Sequence, residues 1–271
     1  DTYRDWLSWC DDAEKKELLL LKDEKEIEDR FYRDLEFGTA GLRGIMGAGS
    51  NRMNRYNVRK ATKGFADYLQ DTYGKRCQDG VIIAYDSRNN SADFAAEAAH
   101  VLCAAGIPVK FFTEPEPIPV LSFSVRHFRA AGGIVITASH NPANNNGIKI
   151  VREKGIPVSA DTGLKDIERV AFSSEFENCA EKGHVYTKEI IEDYIQSLLS
   201  FVDISKMKPL KIVVNAGNGC ANICFENLKK YLPFHFTEQY MKPNATFPHG
   251  VPNPMLEECR RPLINQVLLD G

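Results

Sequence analysis

Apolar residues along this chain fall into short runs separated by amphipathic stretches, the spacing expected of strands joined by helices. Residues 81–85 (VIIAY), 109–112 (VKFF), 134–136 (IVI), 148–151 (IKIV) and 210–214 (LKIVV) are too short for helices and read as strands. Residues 57–71 set Val58, Ala61, Phe65 and Leu69 along one side of a helix. Residues 92–105 are alanine-rich, which suits a helix lying close on a sheet. Asn90 or Ser91 is placed to cap it, Asp93 lies in its first turn and Gly106 stops it. Residues 120–128, 161–172, 188–201 and 221–231 also read as helices, residues 1–35 as a helical layer, and residues 173–187 as polar and irregular. The alternation predicts an α/β protein of two α/β domains, each with a mixed sheet flanked by helices. The pattern restarts between residues 187 and 205, which places one domain at 1–190 and the second at 191–271.

Composition narrows the class. Hydrophobic residues make up 43% and charged residues 26%, as in an ordinary soluble globular protein. A net charge of -3 gives no electrostatic reason to expect nucleic acid or an anionic membrane as partner. No apolar run reaches the length of a membrane span. The seven cysteines are odd in number and include no Cys-x-x-Cys, which argues against a zinc site and for reduced thiols in the cytoplasm.

Chemistry concentrates in residues 132–151, GGIVITASHNPANNNGIKIV. The apolar run ends at Thr137, and Pro142 forces a loop, because it cannot donate to a ladder and pushes Asn141 towards extended geometry. Ser139 and His140 therefore stand on a loop at a strand end, where open α/β sheets bind ligands, and Lys149 returns on the next strand. A Ser-His pair alone is an ordinary polar turn. A serine-hydrolase elbow is a poor match, since the positions two before and two after Ser139 hold Thr137 and Asn141 instead of glycine. Residues 37–54, FGTAGLRGIMGAGSNRMN, form a second candidate. Five glycines would let backbone N–H groups approach an anion, and Arg43 adds a planar fork of donors. That stretch reads equally as a flexible loop or a phosphate cradle. It is neither a Walker A loop nor a dinucleotide fingerprint. Gly217 and Gly219 in the 215–219 loop serve a strand-to-helix turn as readily as a phosphate.

TASHNP followed by NNNGIK resembles the phosphoserine loop of the α-D-phosphohexomutases, the phosphoglucomutase and phosphomannomutase superfamily. GTAGLRG resembles a segment of the same family whose arginine, here Arg43, lies near the phosphoserine. Asp86-Ser87-Arg88-Asn89-Asn90-Ser91 resembles its Asp-x-Arg-x-x-Ser segment, with Arg88 and Ser91 expected to support the active-site loop. Residues 244–254, NATFPHGVPNP, most resemble the phosphomannomutase branch and read as an extended connection. The resemblance spans nearly all of the chain but only the first two of the family's four domains. The family's Asp-x-Asp-x-Asp-Arg metal run occurs nowhere in it.

The resemblance implies a phosphosugar mutase moving phosphate between the 1 and 6 positions of glucose or mannose. Ser139 would carry the phosphoryl group, and a hexose 1,6-bisphosphate would be the intermediate and activator. A serine phosphate carries about -1.5 to -2 charge at neutral pH and needs cations beside it. Arg43 and Lys149 are candidates for that role, and Lys149 and His140 are candidates for the base that takes the sugar hydroxyl's proton. Mg²⁺ would be held by Ser139 through its phosphate together with the absent aspartates, so the 271-residue chain alone is expected to be inactive. Phosphopentomutase activity and a non-catalytic phosphosugar-binding domain are the alternatives.

Overall fold

The computed structural model describes residues 2–38, 41–159, 163–173 and 185–271. Three short helices, α1 (Thr2–Trp9), α2 (Asp12–Leu19) and α3 (Glu24–Phe31), open the chain. They close over a small core of Trp6, Cys10, Leu18, Ala48 and Tyr56. The first sheet collects β1 (Gly41–Ile45), β2 (Val81–Tyr85), β3 (Val109–Phe112), β4 (Gly132–Ile136), β5 (Asn145–Arg152), β6 (Ile156–Pro157) and β7 (Val185–Lys188). Its order is β1-β5-β4-β2-β3-β7, with β6 paired to β5. The β2–β4, β2–β3 and β3–β7 pairs are parallel and β5 is antiparallel to both neighbours, so the sheet is mixed.

Period-two alternation sends the side chains of each strand to two cores. Val81, Ile83, Ile134, Ile136, Ile148 and Ile150 face a core with α4 (Arg55–Tyr73), α5 (Ser91–Ala104) and α7 (Lys165–Ser173). Ile82, Ala84, Val135 and Val151 face the other, built on α6 (Ile118–His127) and the start of α8 (Ile191–Leu199). Helices thus cover both faces. The second unit has β8 (Lys211–Asn215), α9 (Ala221–Leu228), β9 (His235–Gln239) and α10 (Glu257–Asp270). Its two described strands run parallel, so the mixed character expected of both sheets is seen in the first only.

Several expectations change. The glycine-rich stretch is not only a loop: it contains β1, paired with β5 so that Arg43 stands opposite Gly147. Glycine makes this pairing possible. A Cβ on Gly41 would collide with the Ile148 carbonyl, and one on Gly147 would lie 2.6 Å from the Leu42 carbonyl. The end of the stretch expected to be irregular forms β7, which extends the first sheet beside β3. Residues 174–184 of that stretch, and residues 161–162 of the helix expected at 161–172, lie outside the described residues. Neither Asn90 nor Ser91 caps α5 through its side chain: Asn90 takes a left-handed φ of 62°, and the Ser91 hydroxyl is directed to Asp86. Strand β9 and helix α10 were not anticipated; Pro262 sits inside α10 and masks it in the sequence. Among the described residues no helix is long and apolar enough to cross a membrane.

Candidate active site

Because β4, β2 and β3 are parallel, the loops after them emerge at one edge of the sheet, and β5 begins there. Asp86, just past β2, ties these loops together. Its Oδ1 accepts from the Arg88 backbone N–H (3.0 Å) and the Ser91 hydroxyl (2.8 Å), and its Oδ2 from the Thr137 hydroxyl (2.6 Å). Thr137 Oγ1 in turn accepts the Ser139 N–H at 3.0 Å. The Arg88 side chain is buried and forms an ion pair with Asp86 across 3.3 Å. Its two terminal nitrogens donate to the carbonyls of Ser139, Asn141, Pro142 and Asn145 at 2.7–3.2 Å. Asn146, also buried, joins β5 to the same loop by donating to the Asn89 carbonyl and Ser91 Oγ.

This clamp explains the conformation of Ser139. The residue is exposed at the loop apex with φ at 58°, a left-handed geometry that non-glycine residues seldom adopt. Bonds to both its N–H and its carbonyl hold it there. Its hydroxyl lies 3.3 Å from His140 Nδ1. Arg43 reaches the loop from β1 and donates to Asn141 Oδ1 at 3.1 Å. Lys149 stands opposite Val135 on β5 and is half-buried. Burial first, and the Arg43 charge second, push its ammonium below the usual lysine value, with Asp86 opposing. Arg43 and Lys149 share a hollow of about 310 Å³ with Thr137, while Thr137, Ser139 and His140 line an adjoining cavity of about 380 Å³. All four candidate residues are thus placed at this end of the first sheet.

The second cavity also brings in residues that sequence reasoning missed. Glu116, in the loop after β3, is 4% exposed, and its Oε2 has no hydrogen-bond partner among the described residues. The bond from its backbone N–H to the Tyr85 carbonyl (2.8 Å) fixes the loop to the end of β2. Burial, with a smaller contribution from Glu114, raises its carboxyl to about 7. The only sequence signal was an acid held between Pro115 and Pro117. Cys220 and Cys224, raised to about 12 chiefly by burial, feel the Glu116 charge from the second unit.

Glu116 therefore predicts a pH dependence. A carboxyl whose folded pKa exceeds its unfolded value holds its proton better when folded. Its stabilising contribution is complete below about 4.5 and is lost as pH rises to about 7. Glu116→Gln removes that loss. Relative to the parent, the variant should gain stability between these pH values, reaching on the order of 3 kcal/mol at most by pH 8. Urea unfolding midpoints of both proteins from pH 4 to 8 measure this, and a difference that stays flat with pH contradicts it.

The described residues do not make a Mg²⁺ site by themselves. Among the described residues no group of three His, Cys, Asp or Glu side chains is placed to hold a metal. Asp86 is engaged by Arg88, Ser91 and Thr137. A phosphate on Ser139 would add oxygen ligands but no further carboxylates.

Two family descriptions match the chain: phosphoglucomutase/phosphomannomutase, alpha/beta/alpha domain I, over residues 34–178, and domain II over residues 192–271. A phosphomannomutase from Escherichia coli is 33% identical over 238 residues, covering 83% of this chain and 49% of the relative. The phosphohexose mutases protein of Xanthomonas campestris pv. campestris (strain B100) is 43% identical over 138 residues, covering 51% of this chain and 31% of its own length. The crystal structure of a phosphoglucomutase/phosphomannomutase family protein from Burkholderia thailandensis superposes with a TM-score of 0.74 at 25% identity, over 85% of this chain and 49% of that one. At its widest match the chain spans about half the length of these relatives.

Proposed function

Because the chain belongs to the phosphoglucomutase/phosphomannomutase family, we propose that it is the phosphoryl-carrying part of a hexose phosphate mutase, with Ser139 as the carrier. The observation that carries this reading is the Ser139 loop itself: an exposed hydroxyl, fixed in a strained backbone by Arg88 and Thr137, with Arg43 bonded to Asn141 of the loop and Lys149 in the adjoining hollow that Thr137 also lines. Phosphoryl transfer asks little covalent chemistry of a protein and depends on positioning and charge. In the proposed cycle the phosphoserine P–Oγ bond breaks as a bond forms from phosphorus to the sugar hydroxyl. The hydroxyl proton passes, by way of the neutral Lys149 amine or His140, to the departing Ser139 oxygen. The bisphosphate turns over and returns its other phosphate to Ser139, and the proton goes back. Arg43 and the protonated form of Lys149 offset charge on the moving phosphoryl group.

Units 1–190 and 191–271 remain the division we propose, supported by β7, which ends at Lys188 and still belongs to the first sheet. We place the reaction in the cytoplasm, whose reducing conditions suit thiols such as Cys10, Cys77 and Cys220, which form no disulfide among the described residues. Hexose 1,6-bisphosphate is the proposed activator, and Mg²⁺ would need carboxylates beyond the residues described.

The test is intact mass and peptide mapping of the chain before and after incubation with hexose 1,6-bisphosphate and Mg²⁺. The expected result is one added phosphate on Ser139, without repeated conversion of hexose 1-phosphate in a coupled assay. Phosphate found only on another serine overturns the assignment of the carrier. Sustained turnover by this chain overturns the view that it needs further residues.

A further inference from the structure

In the structure, residues 244–254 do more than connect: they carry Phe247 from the second unit to the Ser139 loop. Phe247 is 7% exposed, and its ring lies 4.9 Å from the Arg88 guanidinium carbon. It lines the cavity that also holds Ser139 and His140. Its φ is 48°, an outlier for a bulky side chain that persists only where surroundings enforce it.

Those surroundings start at Asn218, in the loop after β8, itself left-handed with φ of 59° and 5% exposed. Every polar group of Asn218 is spent on residues 240–249. Its N–H donates to the Tyr240 carbonyl and its Nδ2 to the Lys242 carbonyl. Its carbonyl accepts the Asn244 N–H, and its Oδ1 pairs with His249 Nδ1 at 2.8 Å. His249 stacks on Tyr240 at 3.8 Å between ring centres. Asn244 Oδ1 then accepts from Thr246, and the Phe247 backbone bonds to Asn244 and Gly250. The tip is a built support, and what it presents is an aromatic face to a buried cation.

We propose that Phe247 is a positioning residue for the Ser139 loop: by covering one face of Arg88 it keeps the guanidinium's bonds to four loop carbonyls dry and directed. Seating of the second unit thereby sets the order of the loop that bears the nucleophile. A ring over a desolvated guanidinium strengthens with exclusion of water, and so do the hydrogen bonds behind it. The inference rests on the mutase reading only for its consequence in phosphoryl transfer; the ordering of the loop is independent of it.

Amide hydrogen exchange on the whole chain tests this. In Phe247→Ala, exchange at Ser139, Asn141 and Asn145 should rise about 10-fold, while β8 and β9 stay unchanged. Phe247→Leu, which keeps apolar cover without a ring face, should raise it about 3-fold, and Phe247→Tyr should restore it. Unchanged exchange in the loop, or an equal rise in β8 and β9, overturns the proposal. If the alanine variant does not fold, the leucine variant is judged by the same criterion. Peptide mapping after hexose 1,6-bisphosphate is run in parallel. A parent chain that takes no phosphate on Ser139 defeats the functional reading and leaves the exchange result to stand or fall separately.

Discussion

Replacing Lys149 by methionine is expected to slow phosphate transfer to and from Ser139 by roughly 100- to 1000-fold, the usual cost of removing one preorganised group from a transferring centre. Methionine keeps most of the stem's volume, so the packing of β5 against β4 should survive. Lys149→Arg separates the two proposed duties. Arginine keeps the charge but is never deprotonated at accessible pH, so it can balance a phosphate and cannot serve as a base. If Lys149 takes the hydroxyl proton, the arginine variant should be nearly as slow as the methionine one. The parent rate should also rise with pH through a value below the ordinary lysine pKa, because burial and Arg43 depress it. If Lys149 only balances charge, arginine should restore most of the rate and leave the pH profile flat. Arg43 is exposed and already bonded to Asn141, which fits a charge-balancing role and not a proton-accepting one. Rates of labelling at Ser139, followed by quenched-flow mass measurement across pH, decide between these outcomes. A Lys149→Met variant within a few-fold of the parent rate removes Lys149 from the site.

What the sequence revealed of this arrangement was what lies close together along it. Ser139, His140 and Lys149 sit on one β-hairpin, so a single stretch with a strand on either side of Pro142 places all three. The fully buried strand VIIAY was equally readable, since a short apolar run bounded by a turn has few other uses. Convergence across distance was not readable by any local rule. Arg43 reaches the loop because β1 pairs with β5 in the register Arg43 to Gly147, and glycines that look like flexibility in the sequence are what that approach requires. Glu116 and Phe247 enter through strand order and the seating of the second unit, neither of which leaves a periodic trace. Asp86 was visible as a loop residue, but its three-way bonding depends on β2 and β4 being neighbours.

Arg88→Ala should be the most destabilising single change at this end of the sheet, by about 3–5 kcal/mol, the range for breaking a buried ion pair from one side. Four carbonyls each lose a donor at once, of which Pro142 keeps the Asn145 N–H, and Asp86 loses its ionic partner while remaining largely enclosed. Each buried acceptor left without a partner costs of order 1–3 kcal/mol, but the loop can relax toward water, so the sum is not reached. Arg88→Lys should recover only part of the loss. A lysine ammonium has three donors and no planar fork, and it cannot span carbonyls from Ser139 to Asn145 while also pairing with Asp86. The loop, released from the clamp, keeps only the bond from the Ser139 N–H to Thr137 and loses the one to its carbonyl, so the positive φ of Ser139 is held by one restraint instead of two. Stability and chemistry should therefore fail together in Arg88→Ala, whereas Lys149→Met should lose rate with little loss of stability. Urea unfolding set beside Ser139 labelling rates distinguishes the two patterns. An Arg88→Ala chain that unfolds at the parent's midpoint would mean that the guanidinium bonds are incidental to the loop rather than its support.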